Sequence, residues 1–223
     1  MARALGMLLL LGATASAQDP PADAAAKAAL RKLADRFKEA RTLSARVTQS
    51  RKTELLDKPL LSQGLMYYRR DPARLVFLLT VPRKAVVHMD RTSYQVYRPD
   101  EKRLERTDFE NDDVTGKILM VFEPKPDDLG KAFAIRGGDS KDGLVEVRLE
   151  PSDEKVRKRL QRVSLTIAEA DGALRRLSYF DAEGDEVTLE LADVAINPDL
   201  APELFTLQVP EETRVIRRTV RKE

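Results

Sequence analysis

The feature that most constrains this chain is a close succession of short alternating stretches separated by turn residues. Leu43, Ala45, Val47 and Gln49 alternate with Ser44, Arg46 and Thr48, and Asp57 to Pro59 interrupts before a second run over 61–70. Further runs follow at 74–80, 85–89 and 93–97, with Asp71-Pro72, Pro82 and Asp90-Arg91 between them. Alternation of period two sends successive side chains to opposite faces, and runs this close in sequence pair most simply as an antiparallel meander. Strands are expected again at 132–136, 144–149, 160–167, 174–180 and 187–191. Gly137-Gly138, Asp142-Gly143, Asp171-Gly172 and Glu183-Gly184 supply turn positions between them. Residues 102–107 alternate weakly and are very polar, so they form either an edge strand or a loop.

Two segments have helical spacing instead. Asp23 is placed to cap a helix running to about Ala40, with Leu30, Leu33, Ala34 and Phe37 on one stripe. Its charged face mixes Arg31, Lys32, Arg36 and Lys38 with Asp35 and Glu39, which suits a helix packed on a sheet better than one lying on a membrane. Asn111 or Asp112 could open a second helix through Phe122, with Val114, Ile118, Leu119, Val121 and Phe122 as its apolar set and Pro124 and Pro126 ending it. The expected fold is mainly β, a single curved antiparallel sheet with two helices against it. No linker or fixed-period repeat divides it, so one domain is expected over 18–223.

The first residues have the pattern of a secretory signal peptide over 1–17: Arg3, the apolar run Leu5 to Leu11, then Ala15-Ser16-Ala17 as a small-residue cleavage site. The apolar run is far shorter than the roughly 20 residues that span a membrane. The chain contains no cysteine, which excludes a disulfide, a thiolate metal site and a lipid-bearing thioether. Export without cysteine points to a bacterial periplasm.

Net charge is +2 and falls by one with the leader's Arg3, and tryptophan is absent, so neither a basic footprint nor a stacking platform for nucleic acid is present. Catalytic candidates are also missing. The single histidine, His88, has no serine or acid at a motif spacing and is expected to be structural. The acidic run 108–113 lacks the glycine and distal glutamate of a calcium loop, and Gly137-Gly138 is too short for a phosphate cradle. No enzyme activity, metal or cofactor is expected.

What remains is an unusual sheet face. Gly64, Met66, Tyr68 and Arg70 share one side of their strand, while Leu75, Phe77 and Leu79 share one side of the next. If these sets are continuous, a broad apolar surface ends in a guanidinium. Arg70 then either snorkels from an ordinary core or stands at the rim of a cavity.

The same residues resemble a known family, the periplasmic outer-membrane lipoprotein carriers of LolA type. Its aromatic-x-Ala-x-aromatic-x-Gln strand is matched by Leu43-Ser44-Ala45-Arg46-Val47-Thr48-Gln49, and its Gly-rich strand ending in Arg-Pro by Gly64 to Pro72. The spacing from Pro72 to Pro82 and Pro99, Tyr97-Arg98-Pro99, and Leu204 to Pro210 extend the match over about residues 40–215. Asp71 splits the Arg-Pro, Arg91 replaces the hairpin glycine, Gln95 stands for a tryptophan, and Glu212 for a late glycine.

The resemblance implies an incomplete barrel whose concave side is covered by helices acting as a lid. It implies an acyl-chain cavity formed by Val47, Met66, Tyr68, Leu75, Phe77 and Leu79, with Ile118, Leu119, Val121 and Phe122 in the lid helix. The family's lid-bonding arginine falls on Arg70, and the carbonyls ending the 118–122 helix are its expected acceptors. The implied function is carriage of acylated lipoproteins from an inner-membrane release transporter to an outer-membrane acceptor, by a monomer. The alternatives are carriage of another amphiphile, such as a glycolipid or phospholipid, or a lipoprotein-sensing regulatory domain of the same fold.

Overall fold

The protein is described from a computed structural model covering residues 21–110, 114–158, 160–181 and 184–220. The proposed leader and the Asn111 or Asp112 cap lie outside the described residues. The elements run α1 (Pro21–Phe37), β1 (Thr42–Lys52), β2 (Leu60–Arg69), β3 (Arg74–Val81), β4 (Ala85–Met89), β5 (Ser93–Arg98) and β6 (Arg103–Phe109). They continue with α2 (Val114–Leu119), α3 (Pro126–Ala132), β7 (Phe133–Lys141), β8 (Leu144–Pro151) and α4 (Glu154–Arg157). The last are β9 (Leu160–Ala168), β10 (Leu174–Asp181), β11 (Glu186–Ile196) and β12 (Arg214–Val220).

All twelve strands join one sheet in the order β12-β6-β5-β4-β3-β2-β1-β11-β10-β9-β8-β7. Two meanders, β1 to β6 and β7 to β11, meet where β1 pairs with β11. The order begins at β12 and ends at β7, so the curved sheet stays open.

Two expectations are corrected here. The sheet is not wholly antiparallel, because β12 adds to β6 in parallel, Val215 facing Leu104 and Arg217 facing Arg106. That pairing also makes residues 103–109 an internal strand rather than an edge or loop, and places the arginine-rich 214–220 segment at the edge. Arginines on an exposed edge strand discourage further pairing.

The core follows from register. Leu43, Tyr68, Leu75, Met89 and Tyr94 lie opposite one another in one row across β1 to β5. Ala45, Met66, Phe77, Val87 and Val96 form the next, and Val47, Gly64, Leu79 and Ala85 the third. In the other half Leu189, Leu177, Leu165, Val147 and Gly137 align across β11 to β7. Residues directly opposite share a face, so each row adds to one apolar surface.

Helix α1 lays Ala26, Ala29, Leu30, Leu33 and Phe37 on that surface, at the spacing of one helical stripe. It comes very close to the sheet at two glycines. A Cβ on Gly137 would fall 2.2 Å from the Ala22 backbone, and one on Gly172, at φ +66°, would fall 2.7 Å from the Lys32 carbonyl carbon. Gly137 therefore lies inside β7 and admits the helix, which corrects the expectation of a turn there; the hairpin turn falls at Asp142-Gly143. Asp23 is also not an N-cap: it sits in the first turn of α1, where its Oδ1 accepts the Gly137 N–H at 2.7 Å.

On the opposite, convex face a strap follows β11. Phe205 is buried there beneath the Arg69 guanidinium, 4.6 Å from the ring centre, and its carbonyl accepts from Arg74 at 2.6 Å.

Candidate functional site

Arg70 follows the last residue of β2. Its own N–H donates to the Arg41 carbonyl at 2.9 Å, which fixes it beside the start of β1. From there the guanidinium reaches α1, donating from Nη2 to the Phe37 carbonyl at 2.6 Å and from Nη1 to the Lys38 carbonyl at 2.9 Å. The last carbonyls of a helix have no partner within it and carry partial negative charge, so a cation there satisfies both needs. The planar fork of arginine can serve two carbonyls at once.

This corrects the expected acceptor. Arg70 latches the C-terminal end of α1, not the end of the 118–122 segment. The sequence carried a usable signal: Arg36-Phe37-Lys38-Glu39-Ala40 ends the helix without the glycine that commonly caps one, so its carbonyls needed a donor from elsewhere.

The second covering segment is held by a different set. Helix α2 ends at Leu119, and Val121 and Phe122 lie in tight turns beyond it, donating to the carbonyls of Ile118 and Leu119. These two residues were expected inside the helix; the chain instead tightens ahead of Pro124. Ile118, Leu119, Val121 and Phe122 are all buried in the core. Phe122 stacks on Tyr68 with ring centres 5.6 Å apart, and the Tyr68 hydroxyl donates to Glu123 Oε1 at 2.5 Å. Arg91, from the β4–β5 turn, approaches the other Glu123 oxygen at 3.4 Å, and the buried Thr115 hydroxyl donates to the Arg91 carbonyl.

Tyr68 is fully buried, and burial first, then its bond to Glu123, pushes the phenol above its ordinary range. It remains a donor throughout the neutral range. Glu123, Arg91 and the helix-end carbonyls were not singled out from sequence, because main-chain acceptors and a lone glutamate leave no pattern.

Between the two covering segments a cleft of about 430 Å³ opens, with Arg31, Asp35 and Lys38 on one wall, Glu123 and Lys125 on the other, and Arg70 between them. Ala34, Phe37 and Pro124 lie between these charged side chains, so the cleft is charged at its rim and apolar within.

The expected cavity residues lie together on that surface. Val47, Met66, Tyr68, Leu75 and Phe77 are buried, and Leu79 is half-buried against them. Sealing is uneven across the sheet. Leu149, Val163, Leu165 and Ile167 on β8 and β9 have no exposure, whereas Phe77, Val87 and Met89 retain 6% each, and Leu79, Ala85 and Tyr94 are only partly covered. The β3–β5 part of the concave face is thus less tightly roofed than β8 and β9, while Leu75 within it is sealed and Ile135, Val194 and Ile196 in the other half are also only partly covered.

Away from this face, His88 is buried on the convex side, opposite Val76 and Gln95. Burial, then Arg74, holds its imidazole down to about 4, so it is neutral near pH 7. Among the described residues no group of three or more His, Asp or Glu side chains is placed to hold a metal ion.

An outer-membrane lipoprotein carrier protein of Cupriavidus taiwanensis is 24% identical over 157 residues, covering 70% of this chain and 71% of that protein. One from Alcanivorax borkumensis is 26% identical over 145 residues, covering 65% and 67%. Among solved structures, a LolA superfamily protein from Nitrosomonas europaea superposes with a TM-score of 0.43 at 14% identity, covering 82% of this chain and 97% of that one. The family pattern described as outer membrane lipoprotein carrier protein LolA matches residues 38–208, from the end of α1 through the strap, and the chain belongs to that family.

Proposed function

We propose that this protein is a periplasmic carrier that receives the acyl chains of lipoproteins on the concave face of its sheet and ferries them between the two membranes. The observation that carries the reading is the Arg70 latch: an apolar face is roofed by a helix whose end is held by two hydrogen bonds from one side chain. Such a closure is reversible. Hydrogen bonds to a charged donor contribute roughly 1.5–3 kcal/mol each, less where solvent reaches them. An acyl chain of about fifteen methylenes at ~0.8 kcal/mol each brings ~12 kcal/mol of apolar surface out of water, enough to offset opening.

In this reading Val47, Met66, Tyr68, Leu75, Phe77 and Leu79 receive the chain, and entry runs beneath the β3–β5 half. Arg70 and the Tyr68–Glu123 pair close the two covers, α1 and the 118–122 segment. The chain acts as a single domain over 18–223 after loss of its leader, without a catalytic step. An inner-membrane release transporter and an outer-membrane acceptor are its partners.

Native mass spectrometry with lipid extraction, on protein purified from the periplasm without detergent, tests this. Co-purified acylated protein is the expected result. A bound free lipid would reassign the cargo to another amphiphile. A protein that is uniformly empty and also takes up no fluorescent fatty-acyl probe would overturn the carrier reading.

A further inference from the structure

The β1–β2 hairpin carries a group of leucines that the fold leaves outside. Thr53 shapes its turn, accepting the Leu55 N–H on its hydroxyl at 3.1 Å and the Leu56 N–H on its carbonyl at 3.5 Å. Leu55 is 91% exposed, Leu60 54% and Leu61 56%, and Leu56 is exposed as well. Val81, which faces Gln63 across the β2–β3 pair, adds another exposed aliphatic side chain at the same end of the sheet. Several large aliphatic side chains left exposed at one tip of the fold mark an interaction site.

The arrangement also indicates what it meets. Leu60 and Leu61 are adjacent in β2, so they point to opposite faces, yet both are more than half exposed. A protein partner docked on one face would cover one of them. A surrounding apolar medium covers both. Cations border the leucines: Lys52 and Lys58 on the hairpin, and Arg83 and Lys84 on the neighbouring β3–β4 turn, are all exposed, against Glu54, Asp57 and Glu101, the last 3.7 Å from Arg83. Lysine and arginine beside an immersed apolar tip extend their heads to the headgroup layer, where anionic lipid attracts them.

We infer that the tip of the β1–β2 hairpin inserts into the interfacial layer of a lipid bilayer, with Leu55, Leu56, Leu60 and Leu61 as the immersed residues. The site is distinct from the latch. Arg70 follows the other end of β2, about 30 Å away along a ten-residue strand. The inference does not rest on the carrier reading.

The natural absence of cysteine allows a clean test on the purified chain. Leu55→Cys and, as a control, Ser140→Cys near the β7–β8 turn at the opposite end are each labelled with an environment-sensitive nitrobenzoxadiazole probe. Vesicles of mixed phosphatidylcholine and phosphatidylglycerol are then added. At position 55 the emission should shift to the blue, rise several-fold and be quenched by nitroxide lipids, with no change at position 140. The variant with all four leucines replaced by serine should lose vesicle affinity roughly tenfold or more while keeping its circular dichroism.

No response at position 55 would overturn the inference. A response to protein concentration without lipid would do so in favour of self-association. A response only when a membrane protein is present in the bilayer would assign the tip to that protein instead.

Discussion

The Tyr68 hydroxyl, on the sheet, donates to the Glu123 carboxylate, on the segment that covers it. One side chain of the apolar floor is thus a fastener of the roof. Phe122 stacking on the same ring adds an apolar contact, so floor and roof are coupled through adjacent residues of the cover.

Replacing Tyr68 by Phe keeps the stack and removes the donor. Glu123 is largely buried and keeps Arg91 as a partner, so the loss should be about 1–2 kcal/mol, read as a lower urea midpoint. The variant should also behave differently in alkali. The folded chain holds the phenol proton above its ordinary range, so this contribution is fully present below about pH 10 and is lost as pH rises beyond it. Tyr68→Phe should therefore lose less stability above pH 10 than the wild type, although the partly covered Tyr94, also shifted upward by desolvation, keeps some alkaline sensitivity in both.

Arg70→Leu should stay folded, because the guanidinium serves the end of α1 rather than the sheet core. Removing both bonds should free the last turn of α1. Hydrogen–deuterium exchange of the amides at 37–41 should rise roughly tenfold, which corresponds to about 1.4 kcal/mol. Arg70→Lys keeps the charge near the helix end but lacks the fork, so it should fall between the two. Unchanged exchange in Arg70→Leu would show that α1 is held by its apolar stripe alone.

Much of this was readable from sequence, and the parts that were not share a cause. Strands β1 to β5 were legible because tight turns join them and alternation fixes which residues share a face; Met66 does sit opposite Phe77, and Tyr68 opposite Leu75. Strand β12 was not, because an edge strand that buries little shows no alternation and its partner β6 lies more than a hundred residues away. The Arg70 acceptors were expected at the end of the wrong helix, because no side-chain pattern tells which helix end packs beside the end of β2. A glycine admitting a helix looks, in sequence, like a glycine making a turn.

His88 gives the molecule a mild acid sensitivity. Its imidazole is held down to about 4 by burial and by Arg74, while in the unfolded chain it takes a proton near 6.5. The contribution is complete above about pH 6.5 and is lost as pH falls toward 4, where it levels off. Asp90 acts lower: burial raises it, but bonds from Thr92 and Ser93 outweigh that and hold it below its ordinary value, so its share is lost only in stronger acid. Urea titrations between pH 7 and 4 should show wild-type stability dropping by an amount on the order of 2–3 kcal/mol, and His88→Gln should flatten that window.

Gly137→Ala tests how α1 is seated. The added methyl would fall 2.2 Å from the Ala22 main chain, and backbone cannot rotate aside as a flexible side chain would. The start of α1 must lift, which also strains the bond from the Gly137 N–H to Asp23. Overpacking of this kind costs about 1–3 kcal/mol. The loss should concentrate at the first turns of the helix, leaving the Arg70 latch at its other end closed. Thermal unfolding should show the lower midpoint, and exchange should rise at 22–26 but not at 37–41. A uniform rise along the helix would mean that α1 lifts as one rigid unit, and that the latch cannot hold it alone.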